Sequence, residues 1–307
     1  MNGSLLKVRN LKKNFGSISP VKGISFQIER GSCTALLGPN GAGKTTTLRM
    51  LAGLMEPSSG SVEYAGNQQT DSWRNRIGYL PQYPKFYGWM TGREYIIFSA
   101  EISGLRGRKA SERTDEVLAL VGLKDAAKRR ISGYSGGMKQ RLGLAQALVH
   151  EPELLLLDEP VSALDPLGRR EVMDMIRELS GDKITILFST HVLHDAEEIC
   201  DEMVFMVDGM IAEQGSLNEL RAKYRQPVIY VAIEPEGNGT QWLKSLTTRS
   251  FVTDAEIGRD WAKLTVDDVT AARSTLMEEI STKALPLVRF EAGTSSLEDM
   301  FMKVVSG

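Results

Sequence analysis

Apolar positions along the chain follow two patterns. Short alternating or continuous apolar runs read as strands, and apolar residues at i, i+3 and i+4 read as helices. Up to residue 37 only the first kind occurs: Leu6-Lys7-Val8-Arg9, then Gly23-Ile24-Ser25-Phe26-Gln27-Ile28 with alternating faces, then Ser32-Cys33-Thr34-Ala35-Leu36-Leu37. An antiparallel layer is expected there. Strands and helices then alternate. Thr46 to Leu51 is helical, Ser61 to Tyr64 is a strand after the turn Glu56-Pro57-Ser58-Ser59-Gly60, and Ile77 to Leu80 is a strand that must stop at Pro81, which lacks a donor.

Thr91-Gly92-Arg93-Glu94 is a capping box that opens a helix through Ile96, Ile97, Phe98 and Ile102, and helical spacing resumes from Ser111 to Leu123. Leu142 to Val149 is a further helix. Leu154-Leu155-Leu156-Leu157 is the continuous apolar run expected of a parallel strand buried on both faces. Leu167 to Leu179 is a helix, Ile184 to Ser189 another buried strand, and Val204 to Glu213 a hairpin. Ser216 to Glu219 reads as a second capping box, whose helix closes a first domain, 1–223, near Lys223.

The remaining segment, 224–307, has its own order. It reads as strand (Val228 to Ile233), helix (Thr240 to Leu246), strand (Phe251 to Ile257), strand (Trp261 to Val266), helix (Val269 to Ile280), strand (Leu287 to Phe290) and helix (Leu297 to Val305). The βαββαβ order points to an α+β ferredoxin-like domain with one extra helix. It carries no clustered acids, histidines or glycine loop, and a regulatory, dimer-supporting or stabilising appendage is the expectation.

Composition agrees with this division. A length of 307 residues suits a larger domain with a smaller one attached, and 42% hydrophobic with 25% charged residues is the balance of a soluble globular protein. No apolar run approaches the roughly 18 residues of a membrane span. The start, Met1 to Lys7, lacks the pattern of a secretion signal, so a cytoplasmic location is expected. Cys33 and Cys200 have no partner at metal-ligand spacing and read as buried thiols. A net charge of -2 and a pI near 6.1 argue against a nucleic-acid partner, and Lys128-Arg129-Arg130 reads as a solvated helix end.

Chemistry concentrates where strands end. Gly38, Pro39, Asn40, Gly41, Ala42, Gly43, Lys44 and Thr45 lie between an apolar strand and a helix. Their spacing is that of a phosphate-binding loop, in which glycines turn N–H groups toward a polyphosphate, lysine reaches the β- and γ-phosphates and threonine binds Mg²⁺. Asp158 and Glu159 follow the four leucines, at the strand end where ligands of open α/β sheets bind. Asp158 suits a metal-holding role and Glu159 can polarise a water. His191 ends a strand on that same edge, and as one of 3 histidines it reads equally as a site group or a structural one. Ser135-Gly136-Gly137 precedes a helix, which alone makes it either an anion site or an ordinary capped start. Phe15, in the connection between the first two strands, is either an exposed ring able to stack on a purine or a core residue. Tyr83 to Met90 holds 4 aromatics and looks more exposed than core.

In this order the segments from about 5 to 223 resemble the nucleotide-binding subunit of ATP-binding cassette (ABC) transporters. The loop with Lys44 and Thr45 matches Walker A, Leu154 to Glu159 Walker B, Gln82 the Q-loop, Ser162-Ala163-Leu164-Asp165 the D-loop and His191 the switch histidine. Tyr134-Ser135-Gly136-Gly137-Met138-Lys139-Gln140 matches the family signature, with Tyr134 where many members have leucine. The resemblance implies an α/β P-loop NTPase fold with an antiparallel β layer and a helical subdomain at about 91–150. It implies ATP and Mg²⁺ as cofactors. Catalytic roles fall to Glu159 for the water, His191 for the γ-phosphate and Gln82 for the metal and the link to a membrane partner. ATP contacts fall to Phe15, the 38–45 loop, Thr46, Ser135, Gly136, Gly137 and Asp165, and metal contacts to Thr45, Gln82 and Asp158. Ser135 and Gly137 are expected to close on ATP held by a second copy or a paralogous subunit, head to tail. Tyr83 to Met90 resembles the wall that receives a polytopic permease, which puts the chain on the inner face of the cell membrane.

The tail ending in Leu297-Glu298-Asp299-Met300-Phe301 also resembles bacterial exporter ATPases of the drug and antibiotic self-resistance branch. Export driven by ATP hydrolysis is therefore the expected function. A soluble ABC ATPase acting on ribosome or DNA is the alternative, set back by the single cassette and the lack of a long coiled-coil insertion. A guanine-nucleotide switch is set back by the absence of any Asn-Lys-x-Asp stretch.

Overall fold

The computed structural model describes residues 3–68, 71–162, 164–180, 184–234, 239–299 and 301. The chain divides after Leu217 into two compact units. In the first, β1 (Ser4–Phe15) and β2 (Ile18–Glu29) form a hairpin around Gly16, β3 (Cys33–Leu37) runs into the glycine loop, and α1 (Lys44–Leu51) leaves it. There follow β4 (Ser59–Tyr64), β5 (Asn67–Gln68), β6 (Ile77–Leu80), α2 (Gly92–Ile102), α3 (Gly107–Leu120), α4 (Gly136–Leu148) and β7 (Leu154–Asp158). The unit continues through α5 (Pro166–Leu179), β8 (Thr185–Thr190), α6 (Leu193–Ile199), β9 (Glu202–Val207) and β10 (Met210–Ser216), and α7 (Leu217–Tyr224) begins at the division.

Two sheets result. One is antiparallel in the order β2-β1-β4-β5 and is the layer expected from the alternating N-terminal runs. The other has the order β10-β9-β3-β8-β7-β6, parallel except for the edge strand β10. β3, β7 and β8 are buried at every position, as continuous apolar runs require. One apolar core joins both sheets: Leu6, Val8 and Ile24 of the antiparallel layer meet Leu48 and Met50 of α1 and Leu154, Leu156 and Val204 of the parallel sheet.

Four elements differ from the sequence reading. β1 and β2 have 12 residues each, longer than their alternating cores, because register shifts such as that between Val8 and Leu11 interrupt the alternation without ending the pairing. α3 starts at Gly107, ahead of Ser111. α4 starts at Gly136 rather than Leu142, because the Ser135 hydroxyl accepts the Met138 N–H at 3.2 Å and caps a helix whose first residues are glycines of low propensity. The box at Thr91 forms as written: Thr91 Oγ1 accepts the Glu94 N–H at 3.2 Å and Glu94 Oε2 accepts the Thr91 N–H at 2.8 Å. Cys33 and Cys200 are buried with their sulfurs 3.5 Å apart.

In the second unit β11 (Pro227–Ile233), α8 (Gly239–Ser245), β12 (Val252–Ile257), β13 (Trp261–Val266), α9 (Val269–Thr282) and β14 (Leu287–Thr294) form the expected βαββαβ order. The sheet order β12-β13-β11-β14, antiparallel at every pair, is ferredoxin-like. Ile229, Val231, Ala262 and Leu264 point to one face, where Trp242 and Leu243 of α8 and Leu276 and Ile280 of α9 cover them. Residues 297–299 and 301 are helical, and residues 300 and 302–305 of the helix expected there lie outside the described residues, as does Ala163.

Candidate nucleotide site

β3 lies at the middle of the parallel sheet, so its carboxyl end opens onto the sheet edge with β8 beside it and β7 next in order. The chain leaves β3 at Gly38, whose N–H donates to Thr190 O at 3.2 Å. At Gly38 and Gly43 the loop then packs so tightly that a side chain is excluded. A Cβ on Gly38 would lie 2.1 Å from Met206 O, and one on Gly43, at φ 101, would lie 2.2 Å from Pro20 O. Gly43 is also the N-cap of α1 and brings no side chain to cap it, so the first-turn N–H groups face the cleft. With the helix dipole behind them they make an anion site.

Lys44 opens α1 and is 5% exposed. Its ammonium donates to Gly38 O at 2.7 Å and Pro39 O at 3.1 Å and lies 3.4 Å from Glu159 Oε1. Burial pushes the ammonium below the usual lysine range, and Glu159 and Asp158 oppose that shift. On the facing strand end, Asp158 Oδ1 accepts from Thr45 Oγ1 at 3.0 Å and from Ser189 Oγ at 2.8 Å. Burial raises the Asp158 carboxyl above its usual range despite those two donors.

Glu159 follows in the left-handed region at φ 44, a strained conformation for a residue with a side chain. Its N–H donates to Ser189 Oγ at 2.9 Å. Its carboxylate gathers three groups from separate elements. Oε1 faces Lys44, and Oε2 accepts from Gln82 Nε2 at 3.1 Å and lies 3.3 Å from His191 Nδ1. The result is a cleft of about 630 Å³ walled by Asn40 to Thr46, Gln82, Tyr83, Glu159, Ser162 and His191.

The other candidate residues lie elsewhere. Phe15 is half exposed, which removes the core reading; it ends β1 rather than sitting in the connection, because it still pairs with Ile18 across the turn. Lys13 Nζ lies 5.1 Å from its ring centre. Ser135 and Gly136 are exposed at the start of α4, and Gly137 follows them there, outside the cleft wall. Asp165 caps α5 by accepting the Gly168 N–H at 2.8 Å. Tyr134 is buried and donates from its hydroxyl to Ala126 O at 2.8 Å. Tyr83, Tyr87 and Trp89 are exposed, and the backbone beneath them is tied to the segment before the signature by Ser132 N to Gly88 O at 3.0 Å and Ile131 N to Met90 O at 2.9 Å.

Ser189 within the site, and Asp195 outside the cleft wall, escaped the sequence reading. Ser189 is fully buried and joins Asp158 to the Glu159 backbone. Its signal was present, a serine beside Thr190 at the end of a largely apolar strand, but it became readable only once register paired it with Asp158. Asp195, 2% exposed, accepts two hydrogen bonds of 2.6 Å from Arg169 and one of 3.3 Å from Thr190 Oγ1, beside His191.

Comparison with known proteins places the chain in a family. A family model described as ABC transporter matches residues 21–162, and one described as ATP-binding protein DrrA1-3-like, C-terminal domain, matches residues 215–305. The uncharacterized ABC transporter ATP-binding protein YxlF of Bacillus subtilis is 49% identical over 98% of this chain and 99% of its own length. The bacitracin transport ATP-binding protein BcrA of Bacillus licheniformis is 33% identical over 99% of this chain and 98% of its own. Among solved structures, the ATP-binding subunit of an ABC transporter superposes with a TM-score of 0.65 at 31% identity, over 72% of this chain and 93% of that one. A cassette solved as a dimer in a post-hydrolysis state with ADP and Pi gives a TM-score of 0.63 at 25% identity, over 69% of this chain and 98% of that one. The chain belongs to the ATP-binding proteins of ABC transporters, a family of ATPases.

Proposed function

We propose that the chain is the energising subunit of a bacterial exporter, hydrolysing ATP between two copies arranged head to tail beneath a separate membrane permease. One observation carries the reading: the Glu159 carboxylate meets Lys44, Gln82 and His191 beside the Asp158–Thr45 pair. Thr45 and Asp158 offer a hydroxyl and a carboxylate 3.0 Å apart, an all-oxygen donor pair suited to Mg²⁺, and Gln82 adds a carbonyl. A bound Mg²⁺ would neutralise charge on the β- and γ-phosphates. Lys44 and the first-turn N–H groups of α1 bind the phosphate chain, Glu159 takes the proton of the attacking water, and His191 holds the γ-phosphate in line. Phe15 stacks on adenine from its exposed position. In such a reaction positioning and electrostatics supply most of the rate.

Ser135, Gly136, Gly137 and Asp165 stand outside the cleft wall, and this supports a shared site. Each copy lends its signature to the ATP held by the other. The exposed aromatics Tyr83, Tyr87 and Trp89 suit an apolar partner, taken here as the permease, which would hold the chain at the inner face of the membrane. Relatives named for bacitracin transport and linearmycin resistance favour export of antibiotic-like cargo. A mixing experiment tests the shared site. Lys44→Ala and Ser135→Arg copies are each expected to be inactive alone, whereas their mixture assembles one intact site and recovers part of the ATPase rate. A mixture as inactive as its components contradicts the head-to-tail arrangement.

A further inference from the structure

Glu159 serves three hosts with one carboxylate. Oε1 lies 3.4 Å from Lys44 Nζ, while Oε2 holds Gln82 and His191 at 3.1 and 3.3 Å. The Lys44 and Glu159 side chains are 5% and 9% exposed, so water does little to screen the pair. To these groups the carboxylate presents what a terminal phosphoryl group presents, two anionic oxygens aimed at an ammonium, an amide N–H and the His191 ring. Lys44 has three protons to give. Two directions are already taken by Gly38 O and Pro39 O, which leaves one for either Glu159 or a phosphate oxygen. The Glu159 main chain is fixed by Ser189, so its carboxylate changes partner by side-chain rotation alone.

Resting on the reading of 38–45 as the phosphate site, we infer that Glu159 competes with the nucleotide phosphates for Lys44, so that the acid assigned to the attacking water also drives ADP off the loop. After hydrolysis the carboxylate recaptures Lys44, Gln82 and His191 and weakens retention of ADP. The acid thus links the chemical step to product release. Cutting its side chain back, or removing its charge, tightens ADP.

The test is ADP binding to the full chain by isothermal titration calorimetry with EDTA present, where no hydrolysis occurs. Glu159→Gln is expected to lower the ADP Kd about tenfold, the range of one lost charged contact. Glu159→Asp keeps the charge but is one methylene too short to reach Lys44, and it is expected to gain at least about threefold. An unchanged Kd in Glu159→Gln overturns the inference. So does a gain in Glu159→Gln without one in Glu159→Asp, since charge at a distance would then be the cause. Adding Lys44→Ala to Glu159→Gln should erase the gain, and a gain that survives overturns the inference. Lys44→Ala alone separates the two claims, because wild-type ADP affinity there means that the loop itself has been misread.

Discussion

The Ser189 hydroxyl donates to Asp158 Oδ1 at 2.8 Å while accepting the Glu159 N–H at 2.9 Å. One buried oxygen on β8 therefore sets the direction of the Asp158 carboxylate and the backbone of the acid next to it. Ser189→Ala leaves a buried N–H without its acceptor, at a cost of about 1–3 kcal/mol. ATPase turnover is expected to fall roughly 10- to 100-fold, about 1.4 kcal/mol of lost transition-state stabilisation per factor of ten. Steady-state kinetics at saturating Mg²⁺ check this, and a wild-type kcat would remove Ser189 from the site.

Gly92 and Tyr134 are a fitted pair. A Cβ on Gly92 would lie 2.2 Å from the Tyr134 hydroxyl, which is held by Ala126 O. Gly92→Ala should destabilise the protein by about 1–3 kcal/mol through overpacking, and Tyr134→Phe by about 1 kcal/mol through its lost hydrogen bond. Because Phe removes the clashing oxygen, the double variant should be more stable than the sum of the two predicts. Urea unfolding of all four proteins measures that coupling.

The helical segment carries a pH-dependent clasp. Arg93 Nε and Nη2 donate to the two Asp115 oxygens at 2.8 and 3.0 Å, joining α2 to α3. The Arg93 guanidinium holds the Asp115 carboxyl below its ordinary value of 3.8. A depressed carboxylate contributes stability above its unfolded pKa and loses it as pH falls through the folded one. The pair is largely exposed, so its contribution is below about 1 kcal/mol. Asp115→Asn should thus lower Tm slightly at neutral pH, with a difference from wild type that shrinks as pH falls below about 4. A difference that stays constant with pH contradicts the clasp.

Much of the cleft was legible in the chain because its groups sit where strands end. The glycine loop, the acids after four leucines and the histidine closing β8 are each fixed by one element, so spacing alone locates them. Ser189 was different, since its role exists only through register with β7. A capped start at Ser135 was one of two readings open in the chain and is the one the structure shows, whereas the helical pattern itself was read only from Leu142, because propensity argues against the glycines that open α4. β1 and β2 looked short because register shifts break their alternation. The exposure of Phe15 depends on which way the hairpin end faces, and alternation cannot decide this at the final residue of a strand.

The proposal of a shared, Glu159-dependent ATP site is tested most directly by the mass of Glu159→Gln in Mg²⁺ and ATP, read by light scattering during size-exclusion chromatography. The variant should bind ATP, hydrolyse it far more slowly than wild type, and elute as a stable dimer that Ser135→Arg abolishes. Wild-type turnover, or a species that remains monomeric with ATP bound, would contradict the account.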